Sequence, residues 1–572
     1  MRHHAGFVKA HSACAMSNTF DPPLPGTLVP GTASAAAALL TACGGGGGGD
    51  GSGADAPAAT PPGSTTPTGA EASRLLGQAG FGATDAQIER VKALGASGWL
   101  DEQFAAPRTQ SHYDWMLAKG YATDTNINGF AGTDNTLWRK LLSSPDVLRQ
   151  RMTLALSEIF VVSMTGLPVA WRGFIAAAYV DVLEASAFGT YRQLLQAVTL
   201  SPGMGVYLNM RGNRRADPAT GRVPDENYAR EVLQLFSLGL LELNTDGSVK
   251  RDASGNAMET YSQDTITGLA RVFTGWDYDG ASRQETSYTQ RPMVASGTTH
   301  ETGEKRFLGA TVAAGTPPAA GLQQALDTIA AHPNVGPFIG RQLIQRLVSS
   351  NPSAAYVGRV AAAFDNNGSG VRGDLKAVLR AVLLDVEARR APAAGDTTRG
   401  MLREPVVRFI QWARTFGVTS PTEVWNVGNL SDPATRLGQS PLRSPSVFNF
   451  FRPGYVPPNS ALGTQGITAP EFQITNESTV VGWANYAQTF VASGAGELRP
   501  NYSAELALAA DAAALVKRVA LLLAADALPG ATLDTITQAV ASIAASTDAG
   551  RNNRVYAAVH LVLCAPDYLV QV

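Results

Sequence analysis

The chain has 572 residues, of which 45% are hydrophobic and 16% are charged, and its formal net charge is −2. A chain of this length can bury a large core, and cores beyond about 250 to 300 residues usually split, which predicts two packed lobes. The near-neutral charge gives no electrostatic bias toward nucleic acid, so no nucleic acid is expected as a partner.

The first 43 residues resemble a bacterial lipoprotein leader. An alanine-rich run at residues 33–42 ends at Cys43, and six glycines follow it. The sequence LTAC at residues 40–43 resembles a lipobox, in which the cysteine carries the lipid and begins the mature protein. Many bacterial lipoproteins that stay in the inner membrane have an aspartate directly after the lipidated cysteine. This chain has Gly44 there, so the same resemblance favours the outer membrane. The alternative is a disordered Ala/Gly-rich leader.

We therefore expect an exported envelope protein, either lipid-anchored through Cys43 or secreted, whose only membrane contact is the lipid. Residues 44–70 are mostly Gly, Ser, Thr, Pro, Ala and Asp, which predicts a flexible linker because there is almost nothing to bury. No later segment offers 18 consecutive apolar residues, so no membrane-spanning helix is predicted.

From residue 71 to 572 the sequence predicts a helical domain. Apolar residues recur every three or four positions from Leu148 to Ile159, after Ser144 and Pro145, which suit a helix cap and a first turn. This pattern predicts a helix over 145–162. Comparable patterns predict helices at 85–94, 174–184, 191–198, 225–238, 262–273, 321–331, 335–348, 354–364, 375–385, 403–415, 504–525, 533–545 and 552–564.

Strand signals are few. The clearest lie in residues 243–260, where NTDG at 244–247 and DASGN at 252–256 are turn formers. Residues 420–470 are loop-rich, and long irregular segments in a compact domain are often functional. The predicted fold is mainly α, a large multi-helix domain in two packed lobes with one or two short β-hairpins and long irregular loops.

Several segments, in order along the chain, resemble a known family. DENYARE at 225–231, ARVFTGW at 270–276 and KRFLG at 305–309 resemble hallmark segments of the bacterial domain of unknown function 1800 family. Supporting segments include LRQR at 148–151, REP at 403–405, RSPSVFN at 443–449 and APDYLV at 565–570. The resemblance spans residue 71 to the C-terminus. It implies a large, largely helical envelope protein, often encoded beside a sulfatase-like protein, and it implies no activity.

The predicted helix at 225–238 carries the first candidate site. Glu226, Asn227, Arg230 and Glu231 fall on one arc of it, opposite an apolar face. Two carboxylates near an arginine and a histidine can supply a general acid and a general base. The alternative is a lattice of salt bridges that fixes how two helices cross.

The catalytic hypothesis assigns Glu226 and Glu231 as acid and base, Arg230 or Arg271 as the group that stabilises negative charge, and His300 as a further candidate. The remaining candidates are ligand-binding residues, namely Asn227, Asp264, Trp276, Lys305, Arg443 and Asn449. Aromatic residues bordered by amides and carboxylates also suit sugar rings, although buried aromatics are the alternative. These are Trp171, Trp276, Tyr278, Phe450, Phe451 and Tyr455.

No metal or cofactor is predicted. Asp365 to Gly370 resemble the start of a calcium loop, but Lys376 occupies the twelfth position, where a bidentate glutamate is needed. The motifs of serine hydrolases, phosphate-binding loops and zinc proteases are absent from the sequence. The favoured function is therefore non-catalytic, the binding or scaffolding of an envelope polysaccharide or a partner protein such as the co-encoded sulfatase-like protein. The alternative is a hydrolase acting on cell-surface carbohydrate or a related ester.

Overall fold

The computed structural model describes residues 66–391 and 399–572. The predicted leader at 1–43, the predicted lipidation site Cys43 and nearly all of the predicted linker at 44–70 lie outside the described residues. The residues described belong to one compact unit. Within them, no helix combines the length and apolar character needed to cross a bilayer.

Helices dominate the described chain, and the prediction of a mainly α fold is confirmed. The first ten helices are α1 Gly69–Ala79, α2 Asp85–Ala105, α3 His112–Ala118, α4 Thr133–Ser143, α5 Val147–Ile159, α6 Arg172–Ser186, α7 Tyr191–Leu200, α8 Pro202–Tyr207, α9 Asn227–Gln234 and α10 Gln263–Val272. The next seven are α11 Pro318–Ala331, α12 Val335–Leu347, α13 Ala354–Asp365, α14 Leu375–Leu383, α15 Val386–Arg389, α16 Pro405–Thr415 and α17 Ala461–Thr464. The last six are α18 Glu477–Ser493, α19 Ser503–Ala507, α20 Ala512–Ala524, α21 Gly530–Ala541, α22 Asp548–Cys564 and α23 Pro566–Leu569.

The helix predicted over 504–525 is two helices, α19 and α20. Asp511 separates them, because its carboxylate accepts hydrogen bonds from the backbone N–H groups of Ala513 and Ala514, both at 3.0 Å, and so caps α20. The helix predicted over 225–238 is shorter than expected and ends at Gln234 as α9.

Three two-stranded antiparallel sheets occur among the described residues. They pair β1 Trp276–Asp277 with β2 Val294–Ala295, β3 Lys305–Phe307 with β4 Ala310–Val312, and β5 Met401–Leu402 with β6 Val570–Gln571. The turn of the β3–β4 hairpin places Leu308 and Gly309 in left-handed conformations. In residues 243–260 only isolated antiparallel bridges form, Leu243 with Val249 and Arg251 with Ala257. The predicted turns are therefore present, but their arms are too short for regular strands.

Helix α5 lies in the middle of the core. Every residue of α5 except Ser157 is buried, including the charged residues Arg149, Arg151 and Glu158. It packs against α2, α6 and α12. Most buried apolar residues form one continuous cluster, and a smaller cluster gathers around Trp115 and Phe174. A helix buried on all sides places its charged side chains where water is scarce, so these residues must find partners inside the protein.

Candidate functional site

The carboxylate of Glu226 links α9 to α10. Its Oε1 accepts a hydrogen bond from Thr267 Oγ1 at 2.8 Å, and its Oε2 accepts one from Gln263 Nε2 at 2.8 Å. Arg230 Nη2 lies 3.4 Å from the same Oε2 and 3.4 Å from Gln263 Oε1. Both oxygens of Glu226 are thus occupied by side chains that hold the two helices together. This arrangement resembles the alternative interpretation, in which the polar residues form a lattice that fixes how two helices cross.

Glu231 does not share this network. It is buried, and its Oε2 has no hydrogen-bond partner among the described residues. Burial raises the pKa of Glu231, and Arg230 offsets part of that increase. The charge of Glu231 in turn contributes to the raised pKa values, about 12, of the neighbouring Tyr207 and Tyr261, although burial is the larger cause for both. The two predicted catalytic carboxylates therefore lie in different environments.

His300 is a buried residue fixed by the backbone. Its Nδ1 lies 2.8 Å from the Thr274 carbonyl oxygen, so Nδ1 carries the proton that it donates. Its Nε2 has no partner in the described chain, and burial lowers the pKa of the ring. Lys305 is also buried and donates to the Gly303 carbonyl at 3.1 Å. Trp276 is buried as well, which leaves no exposed ring face for a ligand.

The predicted residues do not converge on one cavity. Asp264 and Arg271 are exposed to solvent, and Asn227 is half-buried beside Asp225, whose carboxylate accepts the Asn227 backbone N–H at 2.8 Å. His300 is hydrogen-bonded to Thr274 rather than to either candidate acid. The structure brings together Glu226 with Arg230, and separately His300 with Lys305, whose charge lowers the pKa of His300.

Arg443 and Asn449 lie in a different region. The Arg443 guanidinium binds Asp134 of α4 through two hydrogen bonds, at 2.6 and 3.2 Å. Asn449 is buried in a left-handed backbone conformation, with φ of 61°, and its Nδ2 has no partner among the described residues. Arg443 and Asn449 both belong to the segment 443–455, here called the aromatic loop. A buried amide donor without a partner is uncommon and points to a site beside it.

That site is a group of five buried charged residues, here called the carboxylate centre. Its acids are Glu158 of α5, Glu404 at the start of α16 and Glu471, and its bases are Arg151 of α5 and Arg346 of α12. Arg346 Nη1 lies 3.1 Å from Glu158 Oε2. Arg151 Nη2 donates to the Arg346 carbonyl oxygen at 2.6 Å. All five side chains are at least nine-tenths buried.

Burial and neighbouring charges raise the pKa values of two acids in the carboxylate centre. Burial raises the pKa of Glu158 well above its usual range, and a hydrogen bond with Glu404 together with the Glu404 charge adds to that increase. Burial also raises the pKa of Glu471 to about 8. Glu404 accepts a hydrogen bond from Gln439 Nε2 at 2.5 Å. Strongly perturbed carboxyl groups cluster more often at functional sites than elsewhere.

The aromatic loop lies against a cavity next to this centre. The cavity is lined by Glu158, Gln439, Ser444 and Asn449 among others and has a volume of about 20 Å³. Such a volume holds about one water molecule. This volume is too small for a sugar ring.

Sequence reasoning missed the carboxylate centre because its members come from distant segments. Arg151, Glu404 and Asn449 lie within LRQR, REP and RSPSVFN, the segments that supported the family resemblance. Their convergence follows from the packing of α5, α12 and α16, which helical periodicity does not predict. The available signal was the presence of charged residues inside strongly apolar helix patterns.

A second buried group contains His112, Asp181 and Glu184, whose ligand atoms lie within 4.8 Å of one another. The Lys140 ammonium donates to both oxygens of Glu184 at 2.6 Å. Asp181 accepts the backbone N–H groups of His112 and Tyr113, at 2.8 and 2.9 Å, at the start of α3. A lysine already supplies the positive charge that a metal ion would bring, so these residues do not fit a metal site.

Comparison with known proteins places the chain in one family. No curated protein and no solved structure matches it. The family described as Protein of unknown function (DUF1800) matches residues 74–570. This span contains both the α9–α10 network and the carboxylate centre. The chain therefore belongs to the DUF1800 family of proteins of unknown function.

Proposed function

We propose that the protein is a non-catalytic binding protein of the bacterial cell envelope, exported and lipid-anchored through Cys43, and that it binds an envelope polysaccharide through the aromatic loop. Phe448 is the only aromatic residue classed as exposed in the described chain, with 37% of its surface accessible. Arg452 places its guanidinium carbon 5.0 Å from the Phe448 ring centroid. Phe450 and Tyr455 are half-buried on the same loop.

The observation that carries this proposal is the fixed presentation of Phe448. The following residue, Asn449, is buried in a left-handed conformation, and Phe451 is buried with Arg346 lying 4.8 Å from its ring centroid. The base of the loop is held by the ion pair between Arg443 and Asp134. A rigid aromatic ring beside an arginine and amides suits the apolar face and the hydroxyls of a sugar, and it loses little entropy on binding.

The alternative hydrolase has weaker support. Both oxygens of Glu226 accept hydrogen bonds from Thr267 and Gln263, and His300 bonds to neither Glu226 nor Glu231 among the described residues, so these candidate acids and bases do not form a pair. A general acid and base must reach the same reacting group. This geometry favours binding over hydrolysis at that location.

The test is co-sedimentation of the full chain with purified, insoluble envelope polysaccharide. Phe448→Ala and Arg452→Ala should each weaken retention about tenfold, because one stacked aromatic or cation contact contributes on the order of 1 to 1.5 kcal/mol. Leu117→Ala is the matched control, since Leu117 is similarly exposed, at 41%, on α3. Equal retention of all three variants and the unaltered protein would reject the proposal.

A further inference from the structure

The three acids of the carboxylate centre are not balanced by contacts with cations. Glu158 has an ion pair with Arg346, but among the described residues no ion pair reaches Glu404 or Glu471. Glu404 Oε1 and Glu471 Oε2 also lack a hydrogen-bond donor among the described residues. A buried carboxylate without a counter-charge is strongly unfavourable, whereas a protonated carboxyl group supplies both neutrality and a donor.

The other charged groups around the centre do not supply the missing contacts. Arg151 donates to the backbone carbonyl of Arg346 and acts on the acids only through longer-range charge interactions. Arg408 of α16 lies with its guanidinium carbon 4.2 Å from the Trp483 ring centroid, and its charge interaction with Glu404 is smaller than those with Tyr568, Cys564 and Arg403. Two carboxyl groups that face each other with unsatisfied oxygens share a proton more easily than they ionise together.

An irregular segment of chain borders the carboxylate centre at both of its ends. Gln439 donates to Glu404, and its Oε1 accepts the backbone N–H of Val406 at 3.1 Å. Glu471 lies at the other end of the segment, in a short 3-10 turn at Pro470–Ile474. The aromatic loop lies between Gln439 and Glu471. We call residues 439–474 the cover segment.

The cover segment adopts a backbone that it would leave if released. Leu442 has φ of 53° and is buried, and Asn449 has φ of 61°. Left-handed conformations are rare for residues with side chains, and for a residue such as leucine they persist only where surrounding contacts impose them. Leu442 is held through its carbonyl oxygen, which accepts the Met164 backbone N–H at 2.8 Å.

We propose that the carboxylate centre is a proton-binding site that keeps the cover segment closed against α5 and α16, and that loss of its proton at alkaline pH releases the segment. When the proton leaves, the charge of Glu471 in the cover segment is repelled by that of Glu404 at the start of α16, so the closed position of the segment is destabilised. The consequence for polysaccharide binding rests on the proposed function, because the aromatic loop is part of the cover segment. The proton site itself does not depend on it.

The first experiment detects the proton directly. Infrared titration of the full chain from pH 6 to pH 10 should show a protonated carboxyl band that disappears as the pH rises. The double variant Glu158→Gln, Glu471→Gln should show a weaker band at pH 6 and little further loss between pH 7 and pH 10, because the remaining band comes chiefly from Asp181, whose pKa burial raises to about 6. Glutamine keeps the size of the acid and donates a hydrogen bond without ionising. Absence of the band from the unaltered protein at pH 6 would overturn the proposal.

The second experiment follows the cover segment by hydrogen exchange of residues 439–474, normalised for the intrinsic effect of pH. Exchange should rise at least tenfold between pH 6 and pH 9 in the unaltered protein and stay constant in the double variant. Glu505→Gln, which alters a buried acid paired with Arg518 at 2.8 Å, is the control and should behave as the unaltered protein. Unchanged exchange in the unaltered protein would also overturn the proposal, even if the double variant fails to fold.

A third measurement separates this proposal from the proposed function. Phe448→Ala removes the exposed ring but no member of the carboxylate centre, so it should weaken polysaccharide binding about tenfold and keep the pH-dependent exchange. If the unaltered protein binds no polysaccharide but shows the proton and the exchange, only the proposed function fails.

Discussion

Lys140 Nζ lies 2.6 Å from both carboxylate oxygens of Glu184, and both side chains are almost completely buried. This pair joins α4 to α6 beneath α3. Arg108 also reaches Glu184, at 3.3 Å, but from a partly exposed position. The buried ion pair and the Asp181 contacts with the start of α3 explain why this acidic group belongs to the architecture rather than to a metal site.

Lys140→Met should lower the free energy of unfolding by about 3 kcal/mol, because it leaves the Glu184 charge buried with only the partly exposed Arg108 and the His112 ring as ion-pair partners among the described residues. Adding Glu184→Gln should recover part of that loss, since the uncompensated charge is then removed. Urea denaturation measures both effects. Arg90→Ala, which removes an exposed ion pair with Glu102, is the control and should change stability by less than about 1 kcal/mol. A loss for Lys140→Met no larger than that of the control would contradict the assignment.

Two helical glycines make a matched pair of variants. A Cβ on Gly268 of α10 would lie 1.8 Å from the Arg306 carbonyl oxygen, so α10 packs directly on the backbone of β3. Gly268→Ala should therefore destabilise the protein by at least about 2 kcal/mol, since backbone must move. A Cβ on Gly77 of α1 meets no atom within 4 Å, and Gly77→Ala should stabilise by about 0.5 to 1 kcal/mol through helix propensity. Thermal unfolding of both variants tests whether α10 packs directly on the backbone of β3. Equal changes in stability for Gly268→Ala and Gly77→Ala would refute this contact.

The raised pKa of Glu471 makes stability depend on pH. Its folded-state pKa is about 8 against an ordinary value of 4.5, so the folded protein binds more protons than the unfolded chain between these values. The free energy of unfolding should consequently fall as the pH rises from 4.5 to about 8. Above pH 8 the whole stabilisation that comes from the Glu471 proton is lost. Between pH 6 and pH 9 the unaltered protein should lose about 2.5 kcal/mol more than Glu471→Gln. Urea midpoints at both pH values measure this difference, and parallel curves for the two proteins would exclude it.

Much of the helical fold could be predicted from apolar periodicity. The stripe from Leu148 to Ile159 corresponds to α5, and the pattern at 403–415 corresponds to α16. The pattern could not reveal that α5 is buried on its charged side as well, because Arg151 and Glu158 would face solvent on an ordinary amphipathic helix. Burial of those residues depends on α12 and α16, which pack there from distant parts of the sequence.

The candidate site was predicted only in part for the same reason. Glu226 and Arg230 are four residues apart on one helix, so local spacing predicted their contact, and the structure contains it. His300 and Glu231 required a tertiary arrangement, and they lie in separate surroundings. Local patterns predict neighbours along a helix, whereas a buried centre such as Glu158 with Glu404 depends on packing between helices.

The division between α19 and α20 shows how one polar residue interrupts an apolar pattern. The periodicity of residues 504–525 predicts a single helix, but Asp511 accepts two backbone N–H groups at the start of α20, and its own backbone is extended. An aspartate in this position satisfies donors that the first turn of a helix leaves free.

Asp511→Ala should therefore destabilise the protein by about 1 kcal/mol, within the usual range for loss of a helix cap. Asp511→Asn should lose less, because its amide oxygen still accepts the N–H groups of Ala513 and Ala514. Asp264→Ala is the control, since Asp264 lies exposed in the first turn of α10 without a capping bond to Ser262 or its neighbours. Chemical denaturation distinguishes the three variants. If Asp511→Ala were as stable as Asp264→Ala, the cap would not be what separates α19 from α20, and the break would depend on packing of the flanking residues instead.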